Sequence, residues 1–436
     1  MHRSFKDNQR VLTESGKSLN IVKFLGAGGQ GEVYEVLYEG RRLALKWYFV
    51  QTGTDKQKSM IDKLIKSGKP DERFLWPMAI VNVKGKKSFG YLMPLRPSQF
   101  SNIVDLMKRR VEPSFDAVIT ACVQLADSFY KLHKMDLCYR DVSFGNFFFH
   151  ARTGDILICD NDNVTASEIT TAGVLGTPRF MAPEVVLGKS KPNISSDLFS
   201  LSILIFYMLM MHHPLEGKME KNIKCFDLPA MTKLYGERPT FIYDPMNSSN
   251  RPVAGYHDNA IAFWPIYTER IRQLFIQTFT KGARMPSHRV SEKVWRDVLI
   301  ELKNSITVCE CGMENFYDIQ KLKMNVHNRC WHCNRVLYPA SRLKINNEVV
   351  ILNLNTKLYG HHLMKQEKYR FKKVLAEVVP HPKLANYSGL KNLSHVPWRV
   401  TTKTGMQYSI DFGKSFTIED GTKIEFGEVK GMIRKG

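Results

Sequence analysis

The sequence predicts an α+β chain of two or three folded units, and three observations lead there. Its 436 residues exceed one typical domain of about 100–200 residues. Strand-like runs open the chain, helical patterns occupy its middle, and strand-like runs return beyond residue 341. Hydrophobic residues make up 43% and charged residues 24%, a globular composition that excludes wholesale disorder, collagen and coiled coil.

The opening strands frame Gly26, Ala27, Gly28, Gly29, Gln30, Gly31, Glu32 and Val33. Apolar Ile21 to Leu25 precede them; Val33, Tyr34, Val36 and Leu37 follow. Glycines let the backbone turn tightly and bring bare amides against phosphate oxygens. A dinucleotide-binding unit needs a helix directly after such glycines. Here a Gly40 turn leads instead to a second strand, Arg42 to Tyr48, which carries Ala44 and Lys46. A helical segment, Asp55 to Gly68, comes next.

From about residue 20 to 300 the chain resembles eukaryotic-type serine/threonine protein kinases, in particular bacterial ones. Tyr139-Arg140-Asp141-Val142-Ser143-Phe144-Gly145-Asn146 resembles the kinase catalytic loop, with tyrosine where histidine is usual. The run Ile156 to Cys159 ends in Asp160-Asn161-Asp162, at the place of the family's DFG. Gly176 to Glu184 resembles the end of an activation segment. Asp197, opening the apolar helix Leu198 to Met211, fits the buried aspartate of the central helix, and Arg289 the late arginine that pairs with Glu184.

The resemblance implies a bilobal kinase fold over 15–304, with an N-lobe to about 95 and a C-lobe from 96, binding ATP and Mg²⁺ and acting on protein substrates. It assigns the nucleotide to residues 26–31, Val33, Ala44 and Lys46. Asn146 and Asp160 would hold Mg²⁺, and Asp141 would orient the attacking hydroxyl. Three departures stand out. Ser143 replaces the usual lysine, and Asp162 the DFG glycine, as a turn residue or a second acidic Mg²⁺ contact. The helix after Lys46 has no glutamate, leaving Asp62 or Glu72 as its acidic partner. These losses leave a nucleotide-binding pseudokinase as the alternative. Arg140 next to Asp141 implies a phosphate acceptor among Thr165, Ser167, Thr170 and Thr171, while Thr177 fits the threonine that contacts the catalytic aspartate. The stretch His212 to Trp264, rich in Pro, Gly and Asn, reads as an ordered surface excursion.

Helical spacing in Glu292 to Leu302 closes this half. Cys309, Cys311, Cys330 and Cys333 then fall as two close pairs, which suit a closed, structural Zn²⁺ site in a ribbon over 305–340. Residues 341–436 read as a small all-β interaction domain. Runs Glu348 to Leu352, Lys373 to Leu375 and Gln407 to Ile410 are strand-like, and the ending Ile418 to Gly427 resembles forkhead-associated sandwiches. That likeness places His361-His362 and Asn392-Leu393-Ser394 in recognition loops. The whole arrangement resembles stress-response kinases that work beside a phosphatase and a von Willebrand-type partner.

The net charge of +21 is spread along the chain: 21 basic against 11 acidic residues beyond residue 305 give +10, leaving +11 before it. With no basic arm or tail to concentrate it, this excess does not point to nucleic acid. The longest apolar run, Leu198 to Met211, is short of the roughly 20 residues of a membrane helix. The polar N-terminus shows no secretory signal. A cytoplasmic protein is the expectation.

Overall fold

A computed structural model describes residues 3–166, 176–338, 341–381 and 387–435. Six antiparallel strands come first: β1 (Arg10–Leu12), β2 (Ser18–Ala27), β3 (Gly31–Tyr38), β4 (Arg41–Tyr48), β5 (Ala79–Asn82) and β6 (Phe89–Pro94), ordered β1-β2-β3-β4-β6-β5. Alternation sorts β4 between two faces. Leu45 and Trp47 join Phe5, Ile21, Tyr34 and Val36 in one cluster. Ala44 and Tyr48 face the main core with Tyr91, Met93 and Ile61 and Leu64 of helix α1 (Asp55–Ser67). Lys46, between Ala44 and Tyr48 in period-two register, is therefore turned toward the interlobe side.

The middle of the chain is helical. Helix α2 (Phe115–His133) packs between α3 (Ile194–Met210) and α5 (Glu292–Asn304), and α4 (Glu269–Phe279) lies against α3 and α5. α3 is apolar on every side and almost wholly buried, as expected of a helix at the centre of a lobe. No described helix is long and apolar enough to cross a membrane. Strands β7 (Phe100–Asn102), β8 (Phe147–His150) and β9 (Ile156–Ile158) form a small sheet in the order β9-β8-β7. The stretch 212–264 is more than a surface excursion. Phe241 and Ile242 are fully buried, Phe241 packs on Phe206 and Phe279, and buried Asn250 donates to the carbonyls of Leu215 (2.9 Å) and Thr240 (2.7 Å). Its loop-like composition concealed aromatic anchors that reach the core.

Two short hairpins follow, Ile306–Val308 with Glu314–Phe316 and Asn328–Arg329 with Val336–Leu337. The β-rich tail is a six-stranded sheet and a four-stranded sheet that share one core, including Leu343, Leu375, Trp398 and Ile433. His361, His362, Asn392 and Ser394 are buried, which overturns their placement in recognition loops. Asn392 donates to the carbonyls of Val396 (3.0 Å) and Ile410 (2.9 Å), and the Ser394 hydroxyl accepts from the Trp398 indole at 3.1 Å. His362 faces the helical lobe: its Nδ1 accepts from the Tyr359 amide, so Nε2 donates to Asn304 of α5 at 3.1 Å. Asn304 in turn donates to Glu348 at 3.0 Å, and the Arg296 guanidinium lies 3.7 Å above the Tyr369 ring.

Candidate active site

Lys46 sits opposite Val33 in the β3–β4 ladder and is 6% exposed. Its ammonium donates to Asp160, to Asp162 at 2.7 Å and to Gln30 at 3.3 Å. Asp162 is entirely buried and also accepts from the Tyr48 hydroxyl. The Gln57 amide of α1 donates to Tyr48 Oη at 3.1 Å and to the Asp162 carbonyl at 3.2 Å. Asp162 is thus neither a bare turn former nor free of its neighbours. The acidic partner expected from α1 is absent: Asp62 pairs with Lys66 at 2.5 Å and Glu72 with Lys69 at 2.6 Å, both near solvent. The inward stripe of α1 is Gln57, Ile61 and Leu64; Asp62 falls off it, and Gly68 ends the helix before Glu72.

Burial pulls the Lys46 ammonium down, but Asp162 and Asp160 outweigh it and hold its pKa raised. Burial likewise pushes Asp162 up, and Lys46 overrides it to keep the group low. Asp160 is pushed up to about 6, by burial first and then by the Asp162 charge.

The glycine turn lies beside this cluster. Gly28 donates to the Gly31 carbonyl at 2.9 Å, closing the turn, and Gln30 accepts from the Phe49 amide at 3.0 Å. A Cβ at Gly26, Gly28 or Gly29 would meet nothing within 4 Å, so the turn with Ala27 presents open backbone. At Gly31 a Cβ would sit 2.2 Å from the Trp47 carbonyl, so the β3–β4 pairing itself requires glycine there. Ala44 is buried in the main core and Val33 packs against it.

The loop after α2 is pinned from below. Asp197 accepts from the backbone amides of Tyr139 and, at 3.1 Å, Arg140, and approaches His133 Nε2 at 3.2 Å. Tyr139, where histidine is usual, is buried and donates its hydroxyl to the Cys159 carbonyl. Arg140 and Asp160 hold left-handed backbone angles, φ 72° and 53°, a conformation disfavoured for both side chains. Asn146 stitches the two segments together: its side-chain amide donates to the Asp141 carbonyl at 2.8 Å, and its backbone carbonyl accepts from the Cys159 amide at 2.8 Å, one residue before Asp160. Burial raises the Asp141 carboxyl, against the Thr177 hydroxyl 3.4 Å away. Arg289 grips Glu184 with two bonds of 2.8 and 2.7 Å. Of the expected acceptor hydroxyls, Thr165 is buried, pairs with Cys138 in a two-stranded ladder and receives Arg140 at 3.4 Å. Ser167, Thr170 and Thr171 lie outside the described residues.

The two hairpins bring Cys309, Cys311, Cys330 and Cys333 together, with all four sulfurs within 4.8 Å of one another. The same hairpins touch the helical lobe. Glu314 accepts from the Phe115 amide at the start of α2 (2.6 Å), and Phe316 stacks on Tyr267 and packs against Phe115. A second group of ligand-type residues, Glu348, His361 and His362, is already occupied by bonds to Asn304, Tyr359, Tyr369 and one another.

The family model for the protein kinase domain matches residues 19–281, more than half of the sequence. The chain belongs to the protein kinase family. It is 22% identical over 238 residues to a probable serine/threonine-protein kinase of Dictyostelium discoideum, covering 51% of this chain and 14% of that protein. To a cell cycle serine/threonine-protein kinase of Saccharomyces cerevisiae it is 23% identical over 237 residues, 50% of this chain and 32% of that one. A protein kinase C-like protein of Candida albicans is 36% identical over 95 residues, 21% and 8% of the two chains. The matched region thus spans a third or less of each of these kinases. Within that family frame, Tyr48, Gln57 and His133 are the site-supporting residues that sequence reasoning missed. Only the alternation along β4 and along α1 signals the first two.

Proposed function

We propose that the protein is a Mg²⁺-ATP-dependent serine/threonine kinase that transfers the γ-phosphate of ATP to hydroxyls of protein substrates and to itself. The observation that carries this reading is the convergence of Lys46, Asp160 and the Asn146–Asp141 loop around one turn. Phosphoryl transfer asks a protein for positioning and charge neutralisation, and these groups supply both. Lys46 meets the phosphates from β4, and the open glycine turn lays backbone amides along them. Asn146 uses its side-chain N–H on Asp141, which leaves its side-chain oxygen for a cation. With the Asp160 carboxylate this would make a hard oxygen set suited to Mg²⁺, which would supply charge neutralisation to the phosphates when bound. Asp141 orients the acceptor hydroxyl and takes its proton.

The four cysteines hold a structural Zn²⁺. Zinc–thiolate bonds of about 2.3 Å place tetrahedral sulfurs roughly 3.8 Å apart. The Cys309–Cys333 and Cys311–Cys330 separations of 3.6 and 3.7 Å support that assignment. By resemblance alone, a phosphatase and a von Willebrand-type protein are its proposed partners in the cytoplasm.

The second reading, a nucleotide-binding pseudokinase, is favoured by Ser143 and by the lack of any basic residue between Arg140 and Arg152. Incubation of the full chain with labelled ATP and Mg²⁺, beside Asp141→Asn, separates the two. Label on the chain or on a generic protein acceptor, lost in the variant, supports the kinase. Nucleotide binding without transfer supports the scaffold.

A further inference from the structure

We propose that Asp162, rather than a carboxylate from helix α1, is the residue that positions Lys46, with Tyr48 and Gln57 holding Asp162 in place. A turn-forming aspartate ordinarily faces solvent, where its carboxylate is hydrated. Asp162 is instead wholly buried, and a buried carboxylate is tolerated only when paired and hydrogen-bonded. Lys46 at 2.7 Å is its cation, and the Tyr48 hydroxyl supplies the further bond. The remaining oxygen, Oδ1, has no hydrogen-bond partner, nor has the buried Tyr91 hydroxyl. The pair with Lys46 therefore carries the burial of this group.

α1 contributes no charge. Its inward residue nearest the pair is Gln57, whose neutral amide reaches Tyr48 and the Asp162 backbone. The lysine anchor and Asp160 thus belong to one turn, two residues apart. A shift of α1 acts on the Lys46–Asp162 ion pair only through the neutral Gln57 amide, whereas any rearrangement of residues 160–163 breaks the pair directly. In this chain the state of that turn, and not a carboxylate carried by a helix, sets whether Lys46 is aimed.

This proposal rests on the kinase reading, and its test uses the full chain. Asp162→Gly restores the residue the family places there, Asp162→Asn keeps the shape without the charge, and the double variant D162G/Q57E moves the carboxylate onto α1. Melting temperature, kcat and KM for ATP, and affinity for a fluorescent ATP analogue with Mg²⁺ are measured for each. Misaimed phosphate contacts predict a loss of about a hundredfold in kcat/KM for both single variants, chiefly in kcat. The double variant should recover at least about tenfold of that loss. A residue that only shapes the turn would lower the melting temperature and leave kcat and KM of the folded protein unchanged. Folded D162N with kcat/KM within about twofold of wild type overturns the proposal. If neither single variant folds, Tyr48→Phe keeps both charges and decides: a reduced kcat at unchanged melting temperature supports the anchor, and an unchanged kcat refutes it. If the wild type itself transfers no phosphate, the kinase reading fails first. The anchor is then judged on nucleotide affinity, where wild-type binding by D162N overturns it and weakened binding sustains it.

Discussion

His133 offers the sharpest test of how the catalytic loop is held. It is the last residue of α2 and 9% exposed, with one ring nitrogen against Glu292 at the start of α5 and the other 3.2 Å from Asp197. Both carboxylates accept, so both ring nitrogens must donate, and the ring between them is an imidazolium. Burial alone would lower its pKa; the hydrogen bonds and charges of Asp197 and Glu292 reverse this and raise it from 6.5 to about 9. That difference corresponds to about 3 kcal/mol of folding stability. Because the folded pKa lies above the unfolded one, the contribution is complete below pH 6.5 and disappears as pH rises through about 9. Chemical denaturation of wild type and His133→Gln, followed by circular dichroism from about pH 6 to about pH 9.5, measures it. The stability gap between the two proteins should narrow by about 3 kcal/mol across that range. A gap that stays constant would show that His133 is neutral in the native state, and the reasoning would be wrong.

Three further outcomes are expected. Lys46→Met should abolish transfer and also lower stability by about 3–5 kcal/mol, because it strands Asp160 beside buried Asp162; an unchanged melting temperature would contradict the ion-pair cluster. Elemental analysis should find one zinc per chain, and Cys330→Ser should release it with a loss on the order of 10 kcal/mol of metal-dependent folding energy. Deuterium uptake at the Phe115 amide, which Glu314 accepts from, should then rise, and unchanged protection there would detach the hairpins from the lobe. Arg289→Ala should cost about 3–5 kcal/mol by leaving Glu184 unpaired, and limited proteolysis should then find new cleavage near residues 180–195 if that pair fixes the segment.

The parts of the site legible in the sequence are those whose chemistry is local. Gly26 to Gly31 announce a tight turn, and Asp141 with Asn146 announces a loop, because spacing and residue type suffice to define each. Glu348 to Leu352 and Gln407 to Ile410 emerge as strands with the expected bounds, since alternation and flanking turn residues set them. What stayed hidden depends on contacts across the chain. No acid of α1 meets Lys46, because its partner lies 116 positions away, from 46 to 162, in a turn whose burial no local pattern reveals. His361 and His362 read as recognition-loop residues for the same reason: Glu348 and, 58 positions away, Asn304 accept from their Nε2 atoms, contacts that no local pattern reveals.

The bond from Phe115 to Glu314 also has a temporal side. The first amide of α2 meets its acceptor 199 residues later. At about 5–20 residues per second, a ribosome needs roughly 10–40 s to deliver that acceptor after Phe115 has been made. During this interval α2 is present while its first turn lacks both the carboxylate and the Phe316 ring that cover it. Nascent chains stalled where α5 but not the cysteine hairpins has left the exit tunnel should therefore be cut by protease near residue 115, and chains whose hairpins have also emerged should resist. The helical lobe reaches its mature form only when the cysteine hairpins have left the exit tunnel, which makes the order of synthesis part of how this protein is built.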